Sequence, residues 1–434
     1  MNNSIKSLQT VSSAVFTPKT SIKTEVYKLG GIDIGNKKIK TALTYSVLDG
    51  VFANGMLGLV ETFSVAGAVF LNAPAIAIAI LGSLPLLLSS LVQLFMPRMV
   101  NESKGRKFYV IRGTFFQSLF LIALALCGWL PEHIRSWVYV IIFALYGFSG
   151  NVVSGLWIAW MGDLVPQNIR GQHFAWRNRL FSTTQLGCAL IAGLILQKYS
   201  THNATWMIFA LVFLTAAIFR LLSTRMLYSQ SEISKPVTSH TFSLRRVLTL
   251  KPFIHYSIAA ALMQGTVAFA GPFFNVFYIR DLKFDFFNLS VAAAATVFGT
   301  IVSLPLWGKL ADAVGNRKIL LVTGLLICTV PIPYVVSSLP WHIWVLNFYT
   351  GLCWSGYNLS NFNYLLLASG KERPEMNITF SVAMTGIMVF VFSMAGGLLA
   401  PHLPKLFEWP IQTLFLLSSL LRFGVYGFFY TRFY

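Results

Sequence analysis

The sequence predicts an all-α membrane protein with twelve transmembrane helices in two pseudo-symmetric six-helix lobes. Three observations carry that expectation. Hydrophobic residues make up 56% of the 434-residue chain and charged residues only 11%, too little polar surface to cover a water-soluble globule of this size. The apolar residues gather in runs that can cross a bilayer, which takes about 20 residues as a helix. Lys and Arg fall mainly in alternate connections between those runs, the pattern that orients membrane proteins.

Residues 1–41 are polar and dotted with lysines. They lack the apolar centre of a cleaved signal and read as a flexible cytoplasmic tail. Six apolar runs follow at 42–67, 74–96, 108–130, 137–160, 172–196 and 205–225, forming an N-terminal lobe over 42–225. The polar stretch 226–252 reads as a cytoplasmic linker. A second set at 253–278, 288–308, 318–337, 342–366, 377–399 and 410–430 forms the C-terminal lobe, 253–434.

An even number of spans puts both termini on one side. The terminal segments and the 2–3, 4–5, 6–7, 8–9 and 10–11 connections hold 24 Lys and Arg residues, with Arg220 and Arg225 counted in the 6–7 connection. The opposite loops hold five: Arg135, Lys198, Arg280, Lys283 and Lys405. The asymmetry predicts cytoplasmic termini. It also accounts for the net charge of +19 without a phosphate-binding stripe, so no nucleic-acid partner is expected. The four cysteines lie in different apolar runs without C-x-x-C spacing, which argues against disulfides and a metal site.

The halves echo each other at an offset near 205–210. Ser46…Asn54-Gly55 in span 1 corresponds to Ser257…Gln264-Gly265 in span 7, and Pro166…Arg170 has a looser counterpart in Gly370…Arg373. Parallel repeats about an axis along the membrane normal are a construction used by secondary transporters.

Between spans 8 and 9 the chain reads GKLADAVGNRK, residues 308–318. This turn resembles the signature loop of the major facilitator superfamily, G-x-L-A-D-x-x-G-x-R-[KR]. The run 162–171, with Asp163 and Pro166…Arg170-Gly171, resembles a second motif of the same superfamily. Its continuation through Arg177 and Arg179, and the segment from Pro272 to Leu282, are similar to a bacterial subgroup of unassigned substrate. The resemblance implies a transporter that works by alternating access. It also implies a cytoplasmic latch, in which Asp312 sits against the positive N-terminus of span 5 and Arg317 anchors span 9. Gly308 and Gly315 would allow close helix approach and a sharp turn. The equivalent loop 97–107 departs from the pattern, with Asn101 in the place of the Asp. Arg170 reads as a structural anchor that can pair with Asp163, whereas Arg177 and Arg179 divide between snorkelling and a gating or anion-binding role.

Two carboxylates fall well inside a span, Asp49 and Glu61 of span 1. An intramembrane carboxylate faces a cavity or a partner, and one held in such a cavity suits a proton-coupling role. Seven helical residues turn through about 700°, so Asn54 and Glu61 share a face. Asp49 and Glu61 stand roughly 18 Å apart along the axis, too far to share a proton. Asp49, in the cytoplasmic half, could pair with Arg177 or Arg179.

On span 10, Trp354, Asn358 and Asn361 share one helical face, with Tyr357 beside them. Asn151, Ser154 and Trp157 answer on span 4, and Asn54 and Gln264 lie near mid-membrane on spans 1 and 7. Each alone fits an interhelical hydrogen bond; their convergence on spans 1, 4, 7 and 10 fits a cavity for a polar organic solute.

A primary pump is disfavoured, because no Gly-Lys pair is followed by Ser or Thr. No motif suggests enzyme chemistry or a cofactor. The sequence therefore predicts a monomeric, proton- or ion-coupled transporter of a small organic solute in a bacterial inner membrane. An exporter of drug-like or amphipathic compounds is the alternative, although span 5 lacks the Gly-Pro element of the family's drug/proton antiporters. A non-transporting receptor or scaffold is a further one.

Overall fold

The computed structural model describes residues 37–99, 105–165, 170–199, 205–232, 249–337, 339–369 and 374–429. In lipid no water is at hand to satisfy peptide groups, so an apolar run must close its hydrogen bonds within itself as a helix. Among the described residues this gives twelve long helices and no strand. They are α1 (Lys37–Val60), α2 (Ala75–Met99), α3 (Gly105–Leu126), α4 (Glu132–Leu164), α5 (Arg170–Tyr199) and α6 (Thr205–Ser229), then α7 (Lys251–Ala270), α8 (Phe286–Val314), α9 (Asn316–Thr329), α10 (Pro340–Ala368), α11 (Pro374–Leu399) and α12 (Pro410–Phe429). Eleven segments are long and apolar enough to span a membrane. The exception is α10, which has no Lys, Arg, Asp or Glu. Its several Asn, Ser, Tyr and Trp residues dilute its hydropathy.

The packing repeats with a period of six helices. In the first lobe α1 packs on α5 and α6, α2 on α4, and α3 on α4 and α6. In the second, α7 packs on α11 and α12, α8 on α10, and α9 on α10 and α12. The lobes meet along α2 with α11 and α5 with α8, two contacts that exchange under the pseudo-two-fold relating parallel repeats.

Small residues set how near these helices come. A Cβ at Gly299 of α8 would lie 2.3 Å from the Phe348 carbonyl oxygen, and one at Gly351 of α10 would lie 2.1 Å from that of Thr296. Each glycine thus admits the other helix's backbone, the small-residue packing that substitutes for a hydrophobic driving force in lipid. Because backbone atoms cannot rotate aside, Gly351→Val is expected to destabilise the fold by about 3 kcal/mol, the upper part of the range for overpacked cores. Gly424→Val adds its side chain to open space and serves as the control. Thermal unfolding in detergent reads the difference, and equal midpoints for the two variants would refute the close-packing account.

Two local features differ from the sequence expectation. Span 1 is not one continuous helix: α1 stops at Val60, residues 61–63 form a turn, and a short helix restarts over Ser64–Phe70. Irregular backbone at such a position is tolerated only where it lines a cavity or is buried in protein, and Glu61 sits in this break. The turn between α8 and α9 forms at Gly315, whose φ of +90° strongly favours glycine. At Gly308 a Cβ would meet nothing within 4 Å among the described residues.

Candidate functional site: a charged cavity in the first lobe

The lobes touch at the end of the molecule away from the termini. There Ser393 Oγ of α11 donates to the Ala79 carbonyl of α2 at 3.0 Å, and Ser290 Oγ of α8 donates to the Ala189 carbonyl of α5 at 3.1 Å. Phe286, at the start of α8, sets its ring edge-on to Phe63 and Phe209 of the first lobe, with centroids 6.5 and 5.5 Å away. These contacts seal the distal end.

Behind the seal lies a cavity of about 560 Å³. Its wall comes from α1, α2, α3, α4, α5 and α6, from Glu61, Ser64 and Val65 at the distal end to Arg177 and Leu227 nearer the termini. Asp49, Asn54, Glu61, Asn151, Ser154, Trp157 and Arg177 all line it, so seven of the residues singled out from sequence meet in one place. Gln264, Trp354, Tyr357, Asn358 and Asn361 of the second lobe do not line it. Asn361 instead accepts a hydrogen bond from the Tyr256 hydroxyl of α7 through its side-chain oxygen. Tyr357 is fully buried, its ring edge-on to Trp354 with centroids 5.8 Å apart. For Asn361 the interhelical alternative is the one realised.

Charge inside the cavity is organised around Asp49. Its side chain is 4% exposed, and its Oδ1 accepts a 2.6 Å hydrogen bond from Ser223 Oγ of α6. Ser223 Oγ in turn accepts from Arg220 Nη1 at 3.1 Å, and Arg220 is itself only 6% exposed. Arg177, 7% exposed, lies within electrostatic reach of Asp49. Its guanidinium sits over the rings of Trp157 and Phe181, 4.0 and 4.2 Å from their centroids. Such cation–π seating steadies a cation in a low-dielectric site. Arg179 is exposed and does not line the cavity.

Sequence reasoning missed two wall residues. Arg220 was counted with the 6–7 connection, yet α6 runs on to Ser229 and carries it within the membrane span. The signal was present: Arg220 stands between Phe219 and Leu221, with Ser223 at the i+3 position on the same face. Gln117 of α3, buried at 3% exposure, donates to the Tyr146 carbonyl at 3.4 Å and leaves its Oε1 without a partner among the described groups. A lone amide inside an apolar run was the available sign.

Of the cytoplasmic motif residues, Asp312 and Arg317 are exposed. The side chains of Asp163 and Arg170 lie outside the described residues, as do residues 166–169 and 370–373. One further carboxylate appears at the terminal side: Glu232 Oε1, beyond α6, accepts from the backbone amides of Arg106 and Lys107 at 2.7 and 3.1 Å. It caps the N-terminus of α3, where backbone donors and the helix dipole favour an anion.

Comparison with known proteins agrees with this architecture. Residues 256–432 match the family model of the Major Facilitator Superfamily. Multidrug resistance protein MdtG of Citrobacter koseri is 24% identical over 263 residues, covering 58% of this chain and 60% of that protein. MdtG of Serratia proteamaculans is 25% identical over 304 residues, covering 67% and 69%. The chain thus spans about 60% of the length of the first of these relatives. Among solved structures, a variant of the nucleoside transporter NupG superposes with a TM-score of 0.68 at 11% identity, covering 90% of this chain and 100% of that one. A bacterial homologue of the iron transporter ferroportin in its inward-facing state gives 0.66 at 13% identity, covering 90% and 98%. The xylose transporter XylE from E. coli, partially occluded and inward open, gives 0.62 at 13% identity, covering 91% and 98%. The family match over the second lobe and these superpositions show that the chain has the two-lobed, twelve-helix fold of major facilitator superfamily transporters.

Proposed function

We propose that the protein is a secondary active transporter that carries a small organic solute across the membrane by alternating access. The observation that carries this reading is the polar, charged cavity, lying between helices that span the membrane and sealed at one end by contact between two lobes. A pocket of that kind becomes a transport route when the lobes rock and the seal moves to the other end. The excess of basic residues on the terminal side supports cytoplasmic termini in a bacterial inner membrane. Asp49 and Glu61 are the groups proposed to carry the coupling proton. A second reading, export of drug-like compounds, is favoured by the relatives named as multidrug resistance proteins. The apolar part of the wall, including Met56, Leu57, Leu86 and Phe143, suits such ligands as well.

The rocking motion is open to direct test. Ala79 and Ser393 face each other across the distal seal. With the four native cysteines replaced, an Ala79→Cys, Ser393→Cys double variant should form a crosslink on oxidation. Flux in reconstituted vesicles is expected to stop when the crosslink forms and to return on reduction. Continued flux through fully crosslinked protein would rule out alternating access at this seal.

A further inference from the structure

The two carboxylates of the cavity wall keep different company. Asp49 is held by Ser223, with Arg220 and Arg177 in electrostatic reach, whereas the Glu61 side chain is held by nothing among the described residues. We infer that the distal part of the cavity takes a solute bearing an organic cation, a protonated amine or a quaternary ammonium, seated on Glu61 beside the rings of Phe143 and Tyr146. The inference rests on the reading of this cavity as the solute site.

Glu61 is exposed in the turn after α1 and lines the cavity. Among the described residues no basic side chain stands within electrostatic reach of it. The hydroxyls of this part of the wall are committed elsewhere. Ser64 Oγ donates to the Glu61 backbone carbonyl at 3.1 Å, and the Tyr139 hydroxyl donates to the Ser64 carbonyl at 2.8 Å. The Tyr146 hydroxyl is turned to Met56 Sδ at 3.6 Å. A carboxylate within a membrane-spanning bundle calls for a partner, and these contacts leave that partner to come from outside the protein. A proton fills the place in one stage of the proposed cycle and the solute's cation in another, so the two compete for one group.

The wall suits an organic cation. Phe143 and Tyr146 line the same space, with ring centroids 5.5 Å apart, and aromatic rings attract a cation through their electron-rich faces. Met56 and Leu57 offer thioether and aliphatic surface to its carbon skeleton. Asn54 spends its Nδ2 on the Gly50 carbonyl at 2.8 Å, which leaves its Oδ1 as an acceptor for an ammonium N–H. A metal ion would need several oxygen ligands in one place, and among the described residues no three acidic, histidine or cysteine side chains gather. The volume of about 560 Å³ lies within the range of small-molecule sites.

The test is a thermal-stability screen of the purified protein at constant ionic strength. The probes are protonated amines and quaternary ammonium ions, from tetramethylammonium to benzyltrimethylammonium, each paired with an uncharged alcohol of similar skeleton. A ligand that binds only the folded state raises the unfolding temperature. At least one cation should stabilise the protein where its neutral counterpart does not. In Glu61→Gln the affinity read from the dose dependence should fall about tenfold or more, the worth of a charged partner. The unliganded unfolding temperature should stay unchanged, because the Glu61 side chain bonds to nothing that folding needs. Phe143→Leu should weaken the cation about two- to fivefold. Glu132→Gln, at an exposed carboxylate paired with Arg135 outside the cavity, should leave the shift in place. Stabilisation by neutral or anionic compounds alone, no shift with any cation, or a cation shift that survives Glu61→Gln would each overturn the inference. A shift lost in Asp49→Asn but kept in Glu61→Gln would overturn it too, by moving the cation to the other carboxylate. The screen reads binding and not flux, so its failure would leave the transport reading to be judged by the crosslinking experiment.

Discussion

Gly193→Trp is expected to abolish net flux while leaving the protein folded and its cavity reachable from the side away from the termini. Gly193 lies on α5 where the lobes close against each other. A Cβ there would stand 2.1 Å from Ser290 Oγ and 2.9 Å from the Phe286 carbonyl oxygen of α8. Ser290 can turn aside, but the Phe286 backbone cannot. An indole at this position must force α5 and α8 apart. The penalty falls only on the state with the distal end sealed, because Gly193 packs against the other lobe rather than inside its own. An overpacking penalty of about 1–3 kcal/mol on one of two states shifts their ratio by about 5- to 150-fold. Flux in vesicles should therefore collapse. A cysteine placed at Ser64, on the distal wall of the cavity, should react faster with an impermeant maleimide applied from that side. Normal flux with unchanged labelling would mean that the seal at Phe286 and Ser290 does not move during the cycle.

Most of the architecture was legible because membrane helices announce themselves through length and apolarity. The twelve spans, the six-plus-six repeat and the turn at Gly315 all follow from rules that act within a few residues or one helix. The first-lobe part of the cavity was legible for a related reason. Asp49, Asn54, Glu61, Asn151 and Ser154 are polar residues in apolar surroundings, and lipid tolerates such groups only where a partner or a cavity receives them. What sequence could not supply was tertiary choice. Asn361 and Gln264 carry the same signature as Asn151, yet Asn361 is used by Tyr256. The break at residues 61–63 has no proline or glycine to mark it. Arg220 was missed because a charged residue near the end of an apolar run looks like a loop residue until the helix is seen to continue. Its link to Asp49 crosses 174 residues of chain between Asp49 and Ser223, a pairing no local pattern encodes.

That link makes Asp49→Asn the substitution with the largest expected effect on energy coupling. In the folded protein Asp49, Ser223 and Arg220 form a buried chain from carboxylate to guanidinium. Protonating the carboxylate removes the charge that compensates Arg220, and stranding a buried partner in this way costs about 3–5 kcal/mol. On the proposed proton-coupled reading, protonation of Asp49 and solute binding are linked through this chain. Asparagine holds the shape but cannot exchange a proton, so the two events come apart. Asp49→Asn should lose uphill accumulation under an imposed proton gradient and retain solute exchange between equilibrated compartments. Glu61→Gln is the comparison. Glu61, the other proposed coupling group, lies in the turn after α1 and outside this chain, so the two variants read the coupling role of each carboxylate separately. If Asp49→Asn vesicles still concentrate solute as the unsubstituted protein does, while Glu61→Gln vesicles do not, the coupling role belongs to Glu61. The Asp49 chain would then be structural.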